Sequence, residues 1–326
     1  MKCISVTLQT VSQWARINVL QCRIISAVLA TTMSENIIDI ESLSKFYGAH
    51  RGLVNLSLEI GSGEIFGYLG PNGSGKTTTI RLLLGSIRAS SGNARIFGLD
   101  VNTESKEIHK RIGFLPGEFK TYDNLKASEL FHFLGNIRGM ADWHYTQVLI
   151  DRLDLDATRT IKELSKGNKQ KVGLIQACMH KPDLLLLDEP TSGLDPISQR
   201  EFYSIVKEMA CNGTTVFMSS HVITEVERVA DRVAILKEGA LILDESIEHL
   251  KSKAAKRVEI HFAENVYLDS FEGLPDIRDL TVNGPMLQCI VEGSMDQLVK
   301  RASQFTVYNI ISMEPELEDI FLEYYS

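Results

Sequence analysis

A glycine-rich segment between an apolar run and a helical stretch constrains the fold of this chain more than any other feature. The glycines let backbone N–H groups converge on phosphate oxygens, and the helix that follows adds the positive end of its dipole. Lys76 is expected to contact the β- and γ-phosphates, and the Thr77 hydroxyl to ligate Mg²⁺. The segment therefore predicts a nucleoside-triphosphate site. It matches the pattern G-x-x-x-x-G-K-[ST] and consists of Gly70, Pro71, Asn72, Gly73, Ser74, Gly75, Lys76, Thr77 and Thr78.

Two acidic residues follow a second apolar run, Leu184–Leu187, that is typical of a buried parallel strand. A strand that ends in Asp188 and Glu189 places both carboxylates at the edge of the sheet, where a phosphate-bound metal would lie. Asp188 suits the metal through a bridging water, and Glu189 suits the polarisation of an attacking water. Taken alone, the pair also fits a strand that runs into a solvated acidic turn. The phosphate loop upstream favours the metal interpretation.

Strand-like and helical stretches alternate from Ile37 to about Ser246. This alternation predicts an α/β sheet whose ligands bind at the carboxyl ends of its strands. The predicted strands are Glu64–Leu69, Leu184–Leu187 and Thr214–Met218. The predicted helices are Thr77–Leu84, Ser128–Gly135, Lys169–Met179, Ile197–Ala210 and Ile223–Ala230.

Three further segments complete an ordered set of motifs: Leu164–Asn168, then Pro190–Pro196 after the acidic pair, then Ser219–His221. In order and spacing, the set resembles the ATP-binding cassette of ABC transporters over about Ile37–Ser246. The C-terminal tail resembles the extension of the bacterial exporter ATPases in this family. The resemblance implies an α/β P-loop ATPase cassette with a helical subdomain, followed by a small α+β accessory domain.

The resemblance also implies roles for single residues. Ser165 and Gly167 would bind the terminal phosphate of an ATP held by the opposite subunit, which makes the site composite. His221 would touch the γ-phosphate and the attacking water, and Asp195 would lie at the dimer seam. Tyr47 would stack on adenine. An aromatic side chain before a glycine turn also fits a core position, and the neighbouring Phe46 is the alternative for adenine.

Three positions depart from the pattern of the family. Lys166 stands in place of Gly and Asn168 in place of Gln, so altered chemistry is expected at the rim of the Leu164–Asn168 segment. Gly117 stands in place of a Gln that ligates Mg²⁺ and signals to the membrane subunit. Because glycine offers no side-chain ligand, either Glu118 reaches the metal or water fills that place.

The chain is expected to comprise three regions, residues 1–34, 35–246 and 247–326. The first contains no Asp or Glu, and it fits an over-extended start of the reading frame, a disordered tail or a targeting segment. The third begins with a basic connector, Lys251–Arg257. Three strands are predicted, around Val258–Phe262, Met286–Val291 and Phe305–Ile311. Ser294 and Gln297 predict a capping box for a helix through Gln304. The spacing of Leu317, Ile320, Phe321 and Tyr324 predicts a last amphipathic helix.

Composition narrows the functional classes. With 34 Lys and Arg against 42 Asp and Glu, the net charge of −8 argues against a protein that coats nucleic acid. No stretch approaches the ~18–20 apolar residues that span a bilayer. The five cysteines lie far apart without a CxxC pair, which fits free thiols in a reducing cytosol.

The resemblance therefore implies an ATPase that binds ATP and Mg²⁺ in a homodimer or heterodimer of cassettes. It would lie on the cytoplasmic face of the cell membrane and power export through a separate multi-helix permease, with no nucleic-acid partner. One alternative is a cassette ATPase that acts on ribosomes or nucleic acid. Another is a nucleotide-binding regulator without turnover, although the presence of Glu189 and His221 argues against it.

Overall fold

A computed structural model of the chain describes residues 36–119, 122–139, 143–253, 255–313 and residue 318. The predicted extension of residues 1–34 lies outside the described residues, as does the predicted last helix apart from Glu318. Contacts between Cα atoms divide the chain into two compact units, the first ending at Asp244 and the second beginning at Glu245. Among the described helices, none has the length and apolar character needed to cross a membrane.

The first unit opens with three consecutive strands, and strands and helices are mixed after them. The strands are β1 (Asn36–Tyr47), β2 (His50–Gly61), β3 (Ile65–Leu69), β4 (Ser91–Ile96), β5 (Leu99–Asp100), β6 (Ile112–Leu115), β7 (Leu184–Asp188), β8 (Thr215–Ser220), β9 (Arg232–Lys237) and β10 (Ala240–Ser246). The helices are α1 (Lys76–Leu83), α2 (Ser105–Arg111), α3 (Ala127–Arg138), α4 (His144–Arg152), α5 (Lys166–Cys178), α6 (Pro196–Cys211) and α7 (Ile223–Glu227).

A six-stranded sheet with the order β10-β9-β3-β8-β7-β6 forms the centre of this unit. Strands β3, β6, β7, β8 and β9 are joined by parallel pairings. Every residue of β3 and β7 is buried, so the apolar runs predicted to be parallel strands are confirmed. The phosphate loop follows β3, the acidic pair ends β7 and begins the next loop, and His221 follows β8. The sheet therefore brings these three segments to one edge.

A second sheet, antiparallel and with the order β2-β1-β4-β5, was not foreseen from the sequence. Its first two strands are twelve residues long and form a hairpin whose turn contains Gly48 at a φ of 61°. Ile38 and Leu56 from this sheet share one buried core with Phe66 and Phe217 from the central sheet. The alternation predicted from Ile37 onward is therefore wrong for the first two strands.

Helix boundaries also differ from the sequence prediction by up to three residues, as at the end of α3, the start of α5 and the end of α7. Helix α5 begins at Lys166 rather than Lys169 because the Ser165 side chain caps it by accepting a hydrogen bond from the Asn168 backbone N–H at 3.3 Å. Helix α7 ends at Glu227, three residues before the predicted end. Helices α3 and α4 contact α5 and form the helical part of the unit.

The second unit contains α8 (Ile247–Lys253), β11 (Lys256–Phe262), β12 (Ile277–Asn283), β13 (Met286–Val291), α9 (Asp296–Ala302) and β14 (Val307–Met313). Its antiparallel sheet has the order β12-β13-β11-β14. The predicted alternation in β11 is confirmed, because Val258, Ile260 and Phe262 all lie in the core of this unit.

Three predictions for this unit are wrong. The basic connector is instead the end of α8 and the start of β11. Ser294 forms no capping box, because its hydroxyl accepts a hydrogen bond from the Asp296 backbone N–H only two residues away, at 3.2 Å. Helix α9 accordingly starts at Asp296 and ends at Ala302, before Gln304. Strand β12 had no counterpart in the sequence analysis.

Candidate active site

The phosphate loop connects β3 to α1 in a conformation that side chains would obstruct. A Cβ at Gly70 would lie 2.4 Å from the Ser74 hydroxyl, and one at Gly75 would lie 2.5 Å from the Gly52 carbonyl oxygen. Gly75 also has a φ of 110°, which favours glycine. The Ser74 hydroxyl is buried and has no hydrogen-bond partner among the residues that the structure describes. A buried hydroxyl without a partner, inside a loop of converging N–H groups, fits an anionic ligand that would complete its hydrogen bonding.

Lys76 folds back over this loop. Its ammonium group donates to the carbonyl oxygens of Gly70 at 2.7 Å and Pro71 at 3.1 Å. Only 5% of the side chain is exposed, and the nitrogen lies 3.7 Å from a Glu189 carboxylate oxygen. Burial lowers the pKa of Lys76, and the charges of Glu189 and Asp188 oppose that shift. The ammonium group is thus held at the loop by two carbonyl contacts that phosphate oxygens can replace.

Asp188 receives hydrogen bonds from both sides. The Thr77 hydroxyl donates to one of its carboxylate oxygens at 2.8 Å, and the Ser219 hydroxyl donates to the other at 2.6 Å. The structure therefore brings the predicted pair Thr77 and Asp188 together. Ser219 belongs to the Ser219–His221 motif, but the sequence analysis assigned no role to it.

Glu189 is held in a strained backbone conformation next to His221. Its φ of 48° lies in the left-handed region, which costs about 1–3 kcal/mol for a residue with a side chain. The Glu189 backbone N–H donates to the Ser219 carbonyl at 3.1 Å and to the Ser219 hydroxyl at 3.2 Å. The strained backbone aims the carboxylate at His221, whose Nδ1 lies 3.1 Å from Oε1. Lys76, Glu189 and His221 therefore form one cluster.

A cleft of 480 Å³ lies beside this cluster and is lined by Thr77, Gly117, Glu118, Asp188 and Glu189 among others. A Cβ at Gly117 would lie 3.4 Å from Oδ2 of Asp188, so the position of the missing Gln faces the same carboxylate. The described residues contain no group of three or more His, Cys, Asp or Glu side chains placed to hold a metal. A hydroxyl and one carboxylate fit Mg²⁺, which is commonly held by one or two protein oxygens together with phosphates and water.

Ser165, Gly167 and Asp195 lie in a second cluster, at the N-termini of α5 and α6. A Cβ at Gly167 would lie 2.6 Å from the Gly193 carbonyl oxygen, so α5 and the loop before α6 are in close contact. Asp195 caps α6 by accepting from the backbone N–H groups of Ile197 and Ser198 at 3.0 Å each. Hydrogen bonds from the Ser198 hydroxyl and backbone lower the pKa of Asp195 to about 2.

Tyr47 lies at the end of β1 and is 45% exposed. A Cβ at Gly52 would lie 2.8 Å from its ring, and the Gly52 carbonyl adjoins Gly75 of the phosphate loop. Tyr47 is therefore connected to the phosphate loop through one intervening residue. Phe46 is exposed to a similar extent, at 43%. The role of Tyr47 as the adenine contact stays a prediction.

The sequence matches the family described as ABC transporter over residues 53–192. It is 33% identical over 296 residues to the bacitracin transport ATP-binding protein BcrA of Bacillus licheniformis, covering 88% of this chain and 96% of that protein. It is 32% identical to the uncharacterized ABC transporter ATP-binding protein YhaQ of Bacillus subtilis, covering 87% and 97%.

Two solved structures share the fold. The first, described as an ATP-binding subunit of an ABC transporter, has a TM-score of 0.62 at 24% identity and covers 66% of this chain and 92% of its own. The second is a dimer of the ATP-binding cassette MJ0796 in a post-hydrolysis state with ADP and Pi. It has a TM-score of 0.59 at 24% identity and covers 64% of this chain and 98% of its own. The predicted fold, a P-loop cassette with a helical part, is confirmed.

Proposed function

The chain belongs to the ATP-binding proteins of ABC transporters, a family of ATPases, and on that premise we propose that it powers export through a separate membrane permease. Two cassettes, identical or related, would close over two Mg-ATP molecules and hydrolyse them. The observation that carries the proposal is the cluster of Lys76, Glu189 and His221 next to the phosphate loop. A carboxylate that lies 3.7 Å from a lysine ammonium and 3.1 Å from an imidazole suits phosphoryl transfer to water.

Each side chain has a distinct task in this reaction. The backbone N–H groups of the phosphate loop and the Lys76 ammonium would bind the β- and γ-phosphates. Glu189 would polarise the water that attacks the γ-phosphorus, and His221 would hold that carboxylate and the γ-phosphate in place. Thr77 and Asp188 would hold Mg²⁺, which when bound supplies neutralisation of the phosphate charge.

The second cluster suits a role across a dimer interface. Ser165 and Asp195 cap α5 and α6 at exposed helix N-termini, whose positive ends attract phosphate oxygens. We infer that Ser165 and Gly167 contact the ATP held by the opposite cassette and that Asp195 lies at the seam. The dimer described for the MJ0796 cassette supports this arrangement.

The permease is supported by the names of the relatives. BcrA is a bacitracin transport protein and YbhF of Escherichia coli a probable multidrug ABC transporter protein. We place the permease contact around Phe114–Leu130, on the cytoplasmic face of the membrane. Gly117 and Glu118 lie in this region and line the cleft beside Asp188, so movement at the nucleotide would reach the permease.

The catalytic assignment is tested by Lys76→Ala. This variant should lose high-affinity Mg-ATP binding and hydrolysis while keeping its far-UV circular dichroism spectrum, because the phosphates lose their cation. Lys110→Ala is the matched control, since Lys110 is an exposed lysine paired with Glu107 on α2. Unchanged ATP affinity and turnover in Lys76→Ala would remove the phosphate-loop assignment.

The transport assignment is tested by purifying the full chain from membranes and by Glu118→Lys. The chain should co-purify with a multi-helix membrane protein, and Glu118→Lys should reduce vesicle transport more than ATPase activity. If both activities fall together, Glu118 serves the metal site instead of the permease contact. Co-purification with ribosomes and with no membrane protein would contradict the transporter proposal.

A further inference from the structure

Two loops of the candidate active site are joined by a residue outside all of the motifs. The acidic-pair loop (residues 189–195) leads from Glu189 to Asp195, and the histidine loop (residues 220–222) carries His221. We propose that Glu225, on α7, is a positioning residue that holds these two loops in a fixed relation and thereby places His221 against Glu189. The inference rests on the proposed ATPase reaction and names a residue that sets its geometry.

The contacts of Glu225 carry this inference. One carboxylate oxygen accepts a hydrogen bond from the Thr191 hydroxyl at 2.7 Å, and the other accepts one from the Ser220 hydroxyl at 2.7 Å. Thr191 is 4% exposed and Ser220 is 1% exposed. Two buried hydroxyl groups from two different loops thus share one carboxylate, and each uses a separate oxygen.

Ser220 extends the connection to the histidine loop itself. Its hydroxyl oxygen accepts a hydrogen bond from the Val222 backbone N–H at 3.0 Å, so it braces the turn around His221. The neighbouring Ser219 already binds Asp188 and the Glu189 backbone. The end of β8 therefore holds the acids through Ser219 and holds the turn of His221 through Ser220 and Glu225.

The acidic-pair loop is fixed on its other side to α5. The Gln170 side chain on α5 donates to the Pro190 carbonyl at 3.0 Å, and Gly167 packs against Gly193. One chain of contacts thus runs from α5 through the acidic-pair loop and Glu225 to His221. In the proposed dimer, α5 faces the ATP of the opposite cassette while His221 serves the cassette's own ATP. A displacement of α5 at the opposite cassette's ATP would therefore reach His221 through Glu225.

The chemistry of the bridge requires a residue with two acceptors. A carboxylate accepts from both hydroxyls at once, whereas Leu at 225 would leave both hydroxyls buried without this partner. Gln at 225 keeps one acceptor oxygen, and its amide can donate to the second hydroxyl, so much of the bridge survives. The conservative variant should therefore recover activity that the apolar variant loses.

The experiment measures kcat and KM for ATP in the full chain. Glu225→Leu should lower kcat roughly 10- to 100-fold, the range for a misplaced catalytic group. KM should change by less than about twofold, because the phosphate loop is untouched. Glu225→Gln should stay near the wild-type rate, as should Glu227→Ala, the matched control on the same helix. If Glu225→Leu does not fold, Thr191→Val and Ser220→Ala each remove one half of the bridge and should each lower kcat.

A double-mutant cycle with His221→Ala separates positioning from general support of the fold. If Glu225 acts through His221, adding Glu225→Leu to His221→Ala should lower kcat by less than about twofold further. Independent losses in the two variants, or a wild-type rate in Glu225→Leu, would overturn the inference. A wild-type chain without ATPase activity would instead refute the proposed function, so the two failures are distinguishable.

Discussion

Replacing Ser219 with Ala removes the contact that most directly orders the two acids of the candidate site. The Ser219 side chain is fully buried, and its hydroxyl donates to Asp188 at 2.6 Å. It also accepts from the Glu189 backbone N–H at 3.2 Å. The Glu189 backbone N–H keeps a second acceptor, the Ser219 carbonyl oxygen, at 3.1 Å. Losing the hydrogen bond from this N–H to the Ser219 hydroxyl should therefore cost little stability.

The dominant cost is therefore the bond to Asp188. Hydrogen bonds to charged groups contribute about 1.5–3 kcal/mol, and we expect the unfolding free energy of Ser219→Ala to fall by about 2 kcal/mol. Among the described residues, Thr77 would be the remaining hydrogen-bond donor to the Asp188 carboxylate. We expect kcat to fall about tenfold, since a loss of about 1.4 kcal/mol in transition-state stabilisation has that effect.

Urea unfolding followed by circular dichroism and steady-state ATPase kinetics measure both quantities. Ser90→Ala is the matched control, because its exposed hydroxyl also accepts a backbone hydrogen bond, from Phe46 at 3.0 Å. The control should lose less than about 1 kcal/mol and keep its turnover. A Ser219→Ala variant with the stability and kcat of Ser90→Ala would refute the reasoning.

Three further predictions concern other parts of the structure. Gly167→Ala should lower ATPase activity at least tenfold with an intact circular dichroism spectrum. The new Cβ would lie 2.6 Å from the Gly193 carbonyl oxygen, a clash that costs about 1–3 kcal/mol. Wild-type turnover would contradict this prediction. Gly117→Gln should fold, since a Cβ at this position would lie 3.4 Å from the Asp188 carboxylate. The variant should lower the Mg²⁺ concentration needed for half-maximal ATPase activity about tenfold. An unchanged Mg²⁺ titration would count against this prediction. Burial lowers the pKa of His180 from 6.5 to about 4. Between these two pH values the imidazole is protonated in the unfolded chain but neutral in the folded one. The free energy of unfolding should therefore fall as the pH drops from 6.5 to 4, by up to about 1.4 kcal/mol per pH unit. Urea titrations should show a shallower pH slope for His180→Gln, and an identical slope would reject this assignment.

The parts of the site that the sequence predicts are those written in consecutive residues. The phosphate loop needs glycines at fixed spacing for backbone reasons, and the acidic pair needs a buried strand before it. Both requirements are local, so both are visible without a structure. Because parallel strands end at one edge, the meeting of Lys76, Glu189 and His221 also follows from the strand pattern.

The residues that the sequence analysis missed act over long separations. Ser219 and Glu225 are an ordinary serine and an ordinary glutamate in the sequence, and their function depends on hydroxyls and carboxylates that folding brings together. Capping signals are local and visible in the sequence, but they did not predict the observed helix starts correctly. Ser294 has the right spacing for a capping box with Gln297, yet it binds the N–H of Asp296 instead. Ser165 caps α5 three residues earlier than the helical periodicity indicated.

The antiparallel sheet of β1, β2, β4 and β5 was missed for a different reason. Its buried positions in β2 follow a period of two, but Leu56, Leu58 and Ile60 are separated by residues that also suit a loop. Which sheet a strand joins is decided by packing against a distant surface. Here the shared core with Phe66 and Phe217 makes that decision.

ATP-dependent dimerisation of Glu189→Gln is the most direct measurement of the central claim, that this chain hydrolyses ATP between two cassettes. The variant should hydrolyse ATP at least about 10²-fold more slowly than the wild type, as expected when a positioned base is lost, and should retain bound ATP. Size-exclusion chromatography with light scattering should then show a doubled mass in Mg-ATP and the single-chain mass in Mg-ADP. Adding Lys76→Ala should abolish the doubling. A Glu189→Gln chain that turns over at the wild-type rate would contradict the account, as would a mass that is the same in both nucleotides for the chain alone and together with any related cassette that co-purifies with it.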